Sequence, residues 1–411
     1  MTTSRPHWLN AERLRVYPRI FLVLYAVALV GLVVLRPFVP VLSTGALGAD
    51  FVAFYSASWL VLAGRGLDAY DLDLYLQAQH SLFPDATGVG YGWFYPPTFL
   101  LVVTPLALLP YLLSLLLFSA GGLAAWLGTL RSVLGRRRGA WPLVLAFPGL
   151  WACLLQGQNG LYTAALGAGS LLLLRRRPWL AGVLLGLLAI KPHLAILFAV
   201  ALLAARAWRT IASAALTAGA FLAASVAAFG PASVTAWLDG MNLAQAATSG
   251  GALPLAKMPS VFAMLRLVGV PADWALGVQV VAGVAAAVAV WLVWRRTDAL
   301  PLRGAVLMAG TFLANPYAFD YDLVWLAFPI AWLALTGLAD GWVRGDREVL
   351  VAAWLLPAFG PALATVSGLQ LAPVVLGALV WIALRRVLPV PAVSPGSTPP
   401  GPARPESSPP G

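Results

Sequence analysis

The chain has little charge. Only 10% of its 411 residues are Asp, Glu, Lys or Arg, where a soluble domain carries about 25%. It has one cysteine, Cys153, so no internal disulfide is possible and redox compartment is not readable from it. Histidine is scarce too, at three residues. No Walker motif, dinucleotide fingerprint, His-Glu-x-x-His helix or nucleophile elbow occurs. These absences exclude a soluble globular domain, a disulfide-rich secreted domain and the common nucleotide-binding folds. What is present is apolar: 61% of residues are hydrophobic and mean hydropathy is +0.85. About 20 such residues cross a bilayer once, so the chain reads as an all-α integral membrane protein, a polytopic helical bundle.

The net charge of +11 is explained by where it lies. Basic clusters recur at Arg136-Arg137-Arg138, Arg175-Arg176-Arg177, Arg206 with Arg209, Arg295-Arg296, Arg344 with Arg347, and Arg385-Arg386. Lys and Arg in short loops mark the cytoplasmic side. If all these clusters are inside, an even number of crossings separates each pair. The apolar runs allow it: Trp141–Leu155 with Gly160–Leu174, Trp179–Ile190 with His193–Ala205, Ile211–Phe229 with Trp274–Trp294, Pro301–Ala314 with Leu323–Leu338, and Val349–Val366 with Leu371–Leu384. Ile20–Leu35 follows Arg5, Arg13, Arg15 and Arg19 like a signal peptide. Arg36-Pro37 after it offers no small-residue cleavage site, so it reads as an uncleaved first helix. Leu100–Leu130 supplies the remaining crossing, and Pro105 and Pro110 set its first half along the outer surface or dipping into it. The total is about twelve transmembrane helices, with both termini cytoplasmic.

The same parity leaves few cations outside: Arg36, Arg65, Lys191, Lys257 and Arg266. Asp50, Asp68, Asp71, Asp73, Asp85, Asp239, Asp273, Asp320 and Asp322 fall on the outer side. The positive excess is therefore a topology signal, and nucleic-acid binding is not expected. The expected organisation is one polytopic domain over 1–388. It has a first outer loop at 39–97 and a second at 230–273, and a Pro/Ser/Gly-rich disordered tail follows at 389–411. Phe51–Ala63 is too short to span and reads as an amphipathic interfacial helix.

Parity also brings the remaining polar motifs to one face, the arrangement expected of a site on an apolar scaffold. Asp50 after Gly48 reads either as a general base toward a hydroxyl or as the N-cap of the following helix. Lys191-Pro192-His193 sits between two runs too short for full spans, as if at the tip of a partial hairpin within the outer leaflet. Lys191, one of only two lysines, is a phosphate ligand or a snorkelling anchor. His193 alone fits a packed histidine as well as a ligand. Gln156, Gln158 and Asn159 with Gly157 form a tip suited to a hydroxyl-rich ligand, or a plain turn. Asp320 and Asp322 around Tyr321 read as site carboxylates or a helix start. Lys257 and Arg266 are phosphate ligands or surface charges, and Tyr95 and Asn315 belong to the same face. The Asp71-Leu72-Asp73 and Asp320-Tyr321-Asp322 patterns resemble metal-binding pairs of soluble transferases. They lie outside, where nucleotide sugars are lacking, so no metal or other cofactor is expected.

These motifs carry a resemblance. Gly48-Ala49-Asp50-Phe51 with Tyr55-Ser56-Ala57, Ala63-Gly64-Arg65-Gly66 and Ala69-Tyr70-Asp71 resembles the first outer loop of glycosyltransferase family 87. Phe94-Tyr95-Pro96-Pro97, Thr104 through Pro110, Gly157-Gln158-Asn159, Lys191-Pro192-His193 and Asn315-Pro316 through Trp325 and Pro329 follow in the family's order. The resemblance implies a GT-C-type bundle that transfers a hexose, mannose in characterised relatives. The donor would be a polyprenyl-phosphate sugar and the acceptor a lipid-linked or cell-envelope glycan (a glycan or glycolipid). The site would face the periplasm of the bacterial cytoplasmic membrane. By the same resemblance Asp50 is the general base of an inverting, metal-independent reaction. Lys191 and His193, with Lys257 second, serve the donor phosphate. Tyr95, Gln156, Gln158, Asn159, Asn315, Asp320, Tyr321 and Asp322 line the substrate cavity. Tyr321-Asp322 stands where actinobacterial mannosyltransferases carry two histidines, so no histidine role transfers there. A lipid or polyprenol flippase is the alternative. It would need charged residues through the bilayer depth, whereas these gather at one face. A structural subunit leaves Asp50 and Lys191 unexplained.

Overall fold

The computed structural model describes residues 7–35, 48–84, 90–251 and 253–388. Arg5, Arg36, Asp85 and the tail 389–411 lie outside the described residues, as does much of the start of the first outer loop. Among the described residues every regular element is helical. Lipid offers no partner to backbone groups, so a chain this apolar satisfies them within each segment.

Six helices are long and apolar enough to cross a membrane: Ala11–Gly31, Tyr111–Leu134, Trp208–Phe229, Ala272–Arg296, Asp320–Asp340 and Asp346–Ser367. A seventh is the pair Arg138–Leu145 and Pro148–Gln156, if it is counted as one span bent by 48°. The other expected crossings coincide with shorter apolar helices, Gly160–Leu173, Pro178–Ile190, Pro192–Ala204, Leu300–Ala314 and Ala372–Arg385. At 1.5 Å per residue each of these is about 20 Å long, against about 30 Å of hydrocarbon. The count of about twelve therefore resolves into six or seven full-length helices and a set of short ones. The short ones end at Gly, Pro and Asn breaks that apolar runs in the sequence do not distinguish from loops.

Pro178–Ile190 and Pro192–Ala204 form the partial hairpin expected around Lys191. The Thr210 hydroxyl donates to the Pro178 carbonyl at 3.0 Å, and the Ser213 hydroxyl to that of Trp179 at 2.7 Å. The outgoing arm thus starts level with the start of Trp208–Phe229, where the returning arm has just ended. Gly182 and Gly186, four apart, allow this contact: a Cβ on them would meet the Ser213 and Thr217 Cβ atoms at 2.5 and 2.6 Å. Trp208–Phe229 rises about 33 Å and the hairpin arm about 20 Å. Lys191 consequently sits about 12 Å short of the far end of its neighbour.

One outer-loop expectation changes. Phe51–Leu62 is a helix, but most of its residues are buried on all sides, Phe51, Val52, Phe54, Ala57 and Leu60 completely, so it is a packed element and not an amphipathic surface helix. Its wedge of aromatic side chains finds partners in Phe99, Tyr111 and Phe118. Leu100–Leu130 is broken as its prolines predict, into Pro97–Val103, a 3-10 turn Leu106–Leu108 and the long helix Tyr111–Leu134. The second outer loop folds into Ala232–Ser249, a turn at Leu255–Lys257 and Val261–Leu267. At the opposite end of the bundle Asp346 is buried between Arg385 and Arg386 and locks the last two helices together.

Candidate active site

Three helix breaks meet at one end of the bundle: Gln156–Asn159, Lys191, and Asn315–Asp322. The first depends on Gly157, whose φ of +68° closes the preceding helix in the left-handed region. A Cβ there would lie 2.7 Å from the Phe51 Cβ and 3.3 Å from the Gly48 Cα. Glycine thus lets the start of Phe51–Leu62 lie directly on the turn. The contact is fixed by the Asp50 N–H, which donates to the Gln156 carbonyl at 3.0 Å.

Asp50 stands at the N-cap position of that helix, yet its side chain makes no cap hydrogen bond. Instead it accepts from Gln158 Nε2 at 2.8 Å across 108 residues of sequence. The capping role weighed for Asp50 is therefore not the one it fills. Gln158 Oε1 in turn accepts from the Tyr95 hydroxyl at 3.2 Å, which fixes the orientation of the amide. The other carboxylate oxygen of Asp50 has no partner among the described residues. Burial pushes the Asp50 carboxyl above its ordinary value, against the opposing pull of the Gln158 bond and of the Lys257 and Lys191 charges.

Lys191 is buried, and its Nζ donates to Asp322 Oδ1 at 2.8 Å, joining two breaks 131 residues apart. The ammonium also lies 4.8 Å from the Tyr321 ring centroid and 5.8 Å from that of Tyr95. Neither group is a surface anchor: both side chains are almost fully desolvated, and unpaired charges there would be untenable. Asp320 Oδ1 accepts from the Tyr321 N–H at 2.9 Å and faces Gln156 Nε2 at 3.5 Å. Asp322 Oδ2 faces the Phe319 N–H at 3.4 Å. The helix-start reading of these acids thus holds alongside their place in the cluster. By contrast Asp71 of the other Asp-x-Asp pattern caps Leu72–Leu82 by accepting from the Leu74 N–H at 3.0 Å.

The remaining candidates stand at the edge. His193 follows Lys191 in the same turn and is half-buried. Lys257 is exposed in the second outer loop, its charge acting on Asp50. Asn315 is buried and accepts from the Tyr317 N–H at 2.9 Å, shaping the turn before Asp320. Thr98, which the motifs did not single out, ties the Pro97–Val103 helix to the Lys191 hairpin by donating to the Ala189 carbonyl at 2.7 Å. Trp325 does the same for the third break, its Nε1 donating to the Thr163 hydroxyl at 3.0 Å.

Against the cluster lies a groove that sequence reading did not foresee. It encloses about 810 Å³ between Tyr111–Leu134, Gly160–Leu173 and Pro178–Ile190. Asn159 and Ile190, the neighbours of Gln158 and Lys191, line one end, and Ser132 and Leu173 the other. Between them the wall is mostly apolar, with Phe99, Phe118, Leu166 and Leu184. Fourteen helical residues, Gly160–Leu173, separate the ends, a length of about 20 Å. The arrangement is a half-buried carboxylate, a compensated cation and amide donors at the head of an apolar trough, suited to a polar reaction on a lipid-borne group.

No curated protein and no solved structure matches the chain. Residues 93–316 match glycosyltransferase family 87, a stretch that holds Tyr95, Gln156, Gln158, Asn159, Lys191, His193, Lys257 and Asn315 and stops short of Asp50 and Asp320–Asp322. That is more than half of the chain, and with its apolar helices the protein is a membrane glycosyltransferase belonging to glycosyltransferase family 87.

Proposed function

We propose that the protein moves a hexose, with mannose the first to test, from a polyprenyl-phosphate donor to a hydroxyl of a lipid-linked or cell-envelope glycan. The observation that carries this reading is the position of Asp50. An underpartnered, half-buried carboxylate sits beside the head of an apolar groove deep enough for several isoprene units. Asp50 takes the proton of the acceptor hydroxyl. The acceptor oxygen attacks the anomeric carbon from the face opposite the phosphate, the carbon–oxygen bond to phosphate breaks, and polyprenyl phosphate leaves with the electron pair. The configuration inverts, and a base and cations suffice for the step.

Lys191 and His193 then lie on the donor side, with Lys257 approaching from the outer loop. Lys191 is already neutralised by Asp322, so the pair as a whole brings no net charge, although the ammonium keeps further N–H donors. Lys257 makes no ion pair among the described residues and is the freer cation. Tyr95, Gln156, Gln158, Asn159, Asn315, Asp320 and Tyr321 shape the sugar and acceptor space. The groove wall gives a travelling headgroup no polar path, which favours transfer over transport.

In this reading residues 1–388 form one polytopic GT-C-type domain. The short helices complete about twelve crossings by pairing at breaks within the leaflet. Both termini lie in the cytoplasm and the site opens to the periplasm of the bacterial inner membrane, as the basic loops require. The test is transfer by purified protein from labelled polyprenyl-phosphate mannose to a panel of envelope acceptors, with Asp50→Asn beside it. Transfer at the wild-type rate by Asp50→Asn overturns the base assignment. No transfer by the wild type from any polyprenyl-phosphate sugar overturns the donor class. A reporter fused after Arg386 that reads outside the cell overturns the sidedness.

A further inference from the structure

Four polar side chains line the groove, and three are already satisfied. The Thr129 hydroxyl donates to the Ala125 carbonyl at 2.8 Å, that of Ser132 to the Gly128 carbonyl at 3.2 Å, and that of Tyr162 to the Phe118 carbonyl at 2.7 Å. The fourth is Asn159. Its side chain is fully buried, and both Nδ2 and Oδ1 lack any hydrogen-bond partner. Asn159 occupies the N-cap position of Gly160–Leu173 but makes no cap bond. Local turn chemistry therefore does not explain the amide. Its backbone is committed, the N–H to Gln158 Oε1 at 3.2 Å and the carbonyl to the Thr163 N–H at 3.1 Å, so the residue is held in place while its side chain stays free.

A buried amide with no partner is destabilising, and such groups are rare enough in folded proteins that each calls for an explanation. Here the free amide lies at the one end of an apolar groove that adjoins the reactive cluster. Its sequence neighbour Gln158 holds Asp50, and Lys191 is bound within the same cluster. An amphipathic ligand with its chain in the groove brings its head to this point. Of the groove wall, only Asn159 has donors left to give it.

We propose that Asn159 binds the phosphate of the lipid donor, Nδ2 donating to a non-bridging phosphate oxygen, while Oδ1 stays available to a sugar hydroxyl. This rests on the polyprenyl-phosphate reading above and adds to it the residue that distinguishes a phosphorylated prenyl chain from a bare one. The assignment fits the charge balance. The ammonium of Lys191 is shared with Asp322 and Lys257 is exposed, and Asn159 adds an uncharged donor at the buried end.

The experiment compares binding of polyprenyl phosphate and of unphosphorylated polyprenol of equal length to purified wild type, Asn159→Ala and Asn159→Asp. Wild type prefers the phosphate. Asn159→Ala weakens phosphate binding by about 10-fold, the value of one hydrogen bond to a charged group. Asn159→Asp, almost isosteric, weakens it by about 100-fold, because it sets a carboxylate against the phosphate. Polyprenol binding stays within about twofold in all three, given that no hydrogen bond to phosphate is lost. A thermal-unfolding midpoint reports folding, and Asn159→Ala carries the test if Asn159→Asp fails to fold. Unchanged phosphate preference in the variants overturns the proposal, as does an equal loss for polyprenol, which would mark Asn159 as a groove-shaping residue. A wild type with no preference for phosphate removes the donor class itself, whatever the variants do.

Discussion

Two carboxylates at opposite ends of the bundle are treated in opposite ways. Asp346 is saturated: Arg385 takes Oδ1, Arg386 takes Oδ2 at 2.5 Å, and the Val343 N–H adds a third bond at 2.9 Å. Asp50 has a single amide partner, Gln158, and an oxygen left over. One acid faces two guanidinium groups. At the other end Asp322 alone pairs with the buried ammonium of Lys191, while Asp50 and Asp320 take amide partners, Gln158 and Gln156. An acid that holds helices together has donors on both of its oxygens. An acid that is to accept a proton from a substrate is held by one side and left open on the other.

Asp50→Asn breaks this contrast hardest. Transfer falls by about 10²- to 10⁴-fold in kcat, the usual contribution of a general base, while the unfolding midpoint moves little. If instead stability drops and the rate holds, Asp50 is a structural acid like Asp346. Lys191→Met and Asp322→Asn come next. Each leaves one uncompensated charge in the bundle and costs about 3–5 kcal/mol, measured by denaturation in detergent or lipid. The double variant should recover much of that loss, and failure to recover would mean that the two charges are not a unit. Asp346→Asn is milder, about 1–3 kcal/mol, because Arg385 and Arg386 reach water once released. It leaves kcat unchanged. Gly157→Ala strains a left-handed residue by about 1–2 kcal/mol and displaces the start of Phe51–Leu62, so its loss of rate exceeds its loss of stability.

The smallest effect is in the pH profile. The Asp50 carboxyl titrates above its ordinary value, so the acid limb of kcat/KM lies higher in pH than a free carboxylate would place it. Transfer is lost as pH falls through that value, because the base is then protonated. Stability runs the other way at this group: burial favours the protonated form. The stabilising contribution is full below the unfolded pKa and is lost as pH rises through the folded one. Activity and stability that fell together on acidification would show that another group controls the limb.

The regions that differ in chemistry also differed in how readable they were. The helix positions were legible because apolar runs and prolines act locally: Pro105 and Pro110 mark the break before Tyr111–Leu134, and the short runs on either side of Lys191 mark a hairpin. Parity of the basic loops was enough to assemble Asp50, Gln158, Lys191 and Asp322 on one face. Which of them touch was not legible, since Gln158 and Asp50 are 108 residues apart and Lys191 and Asp322 are 131 apart. Nor did composition show that the helix after Asp50 is buried on all sides, because an apolar helix looks the same facing lipid and facing protein. The groove is a gap between side chains of distant helices, and the orphan amide of Asn159 has meaning only once that gap is seen.

The hairpin that carries Lys191 has a consequence for how the chain enters the membrane. Its arms are too short to span, and its tip is a lysine whose partner lies 131 residues further on. At about 5–20 residues per second of synthesis, roughly ten seconds pass before Asp322 exists. A lysine within the bilayer costs about 2.5–3.5 kcal/mol during that interval. The Lys191–Asp322 pair can therefore close only after the third break has been made, so the hairpin tip is completed later than its own arms.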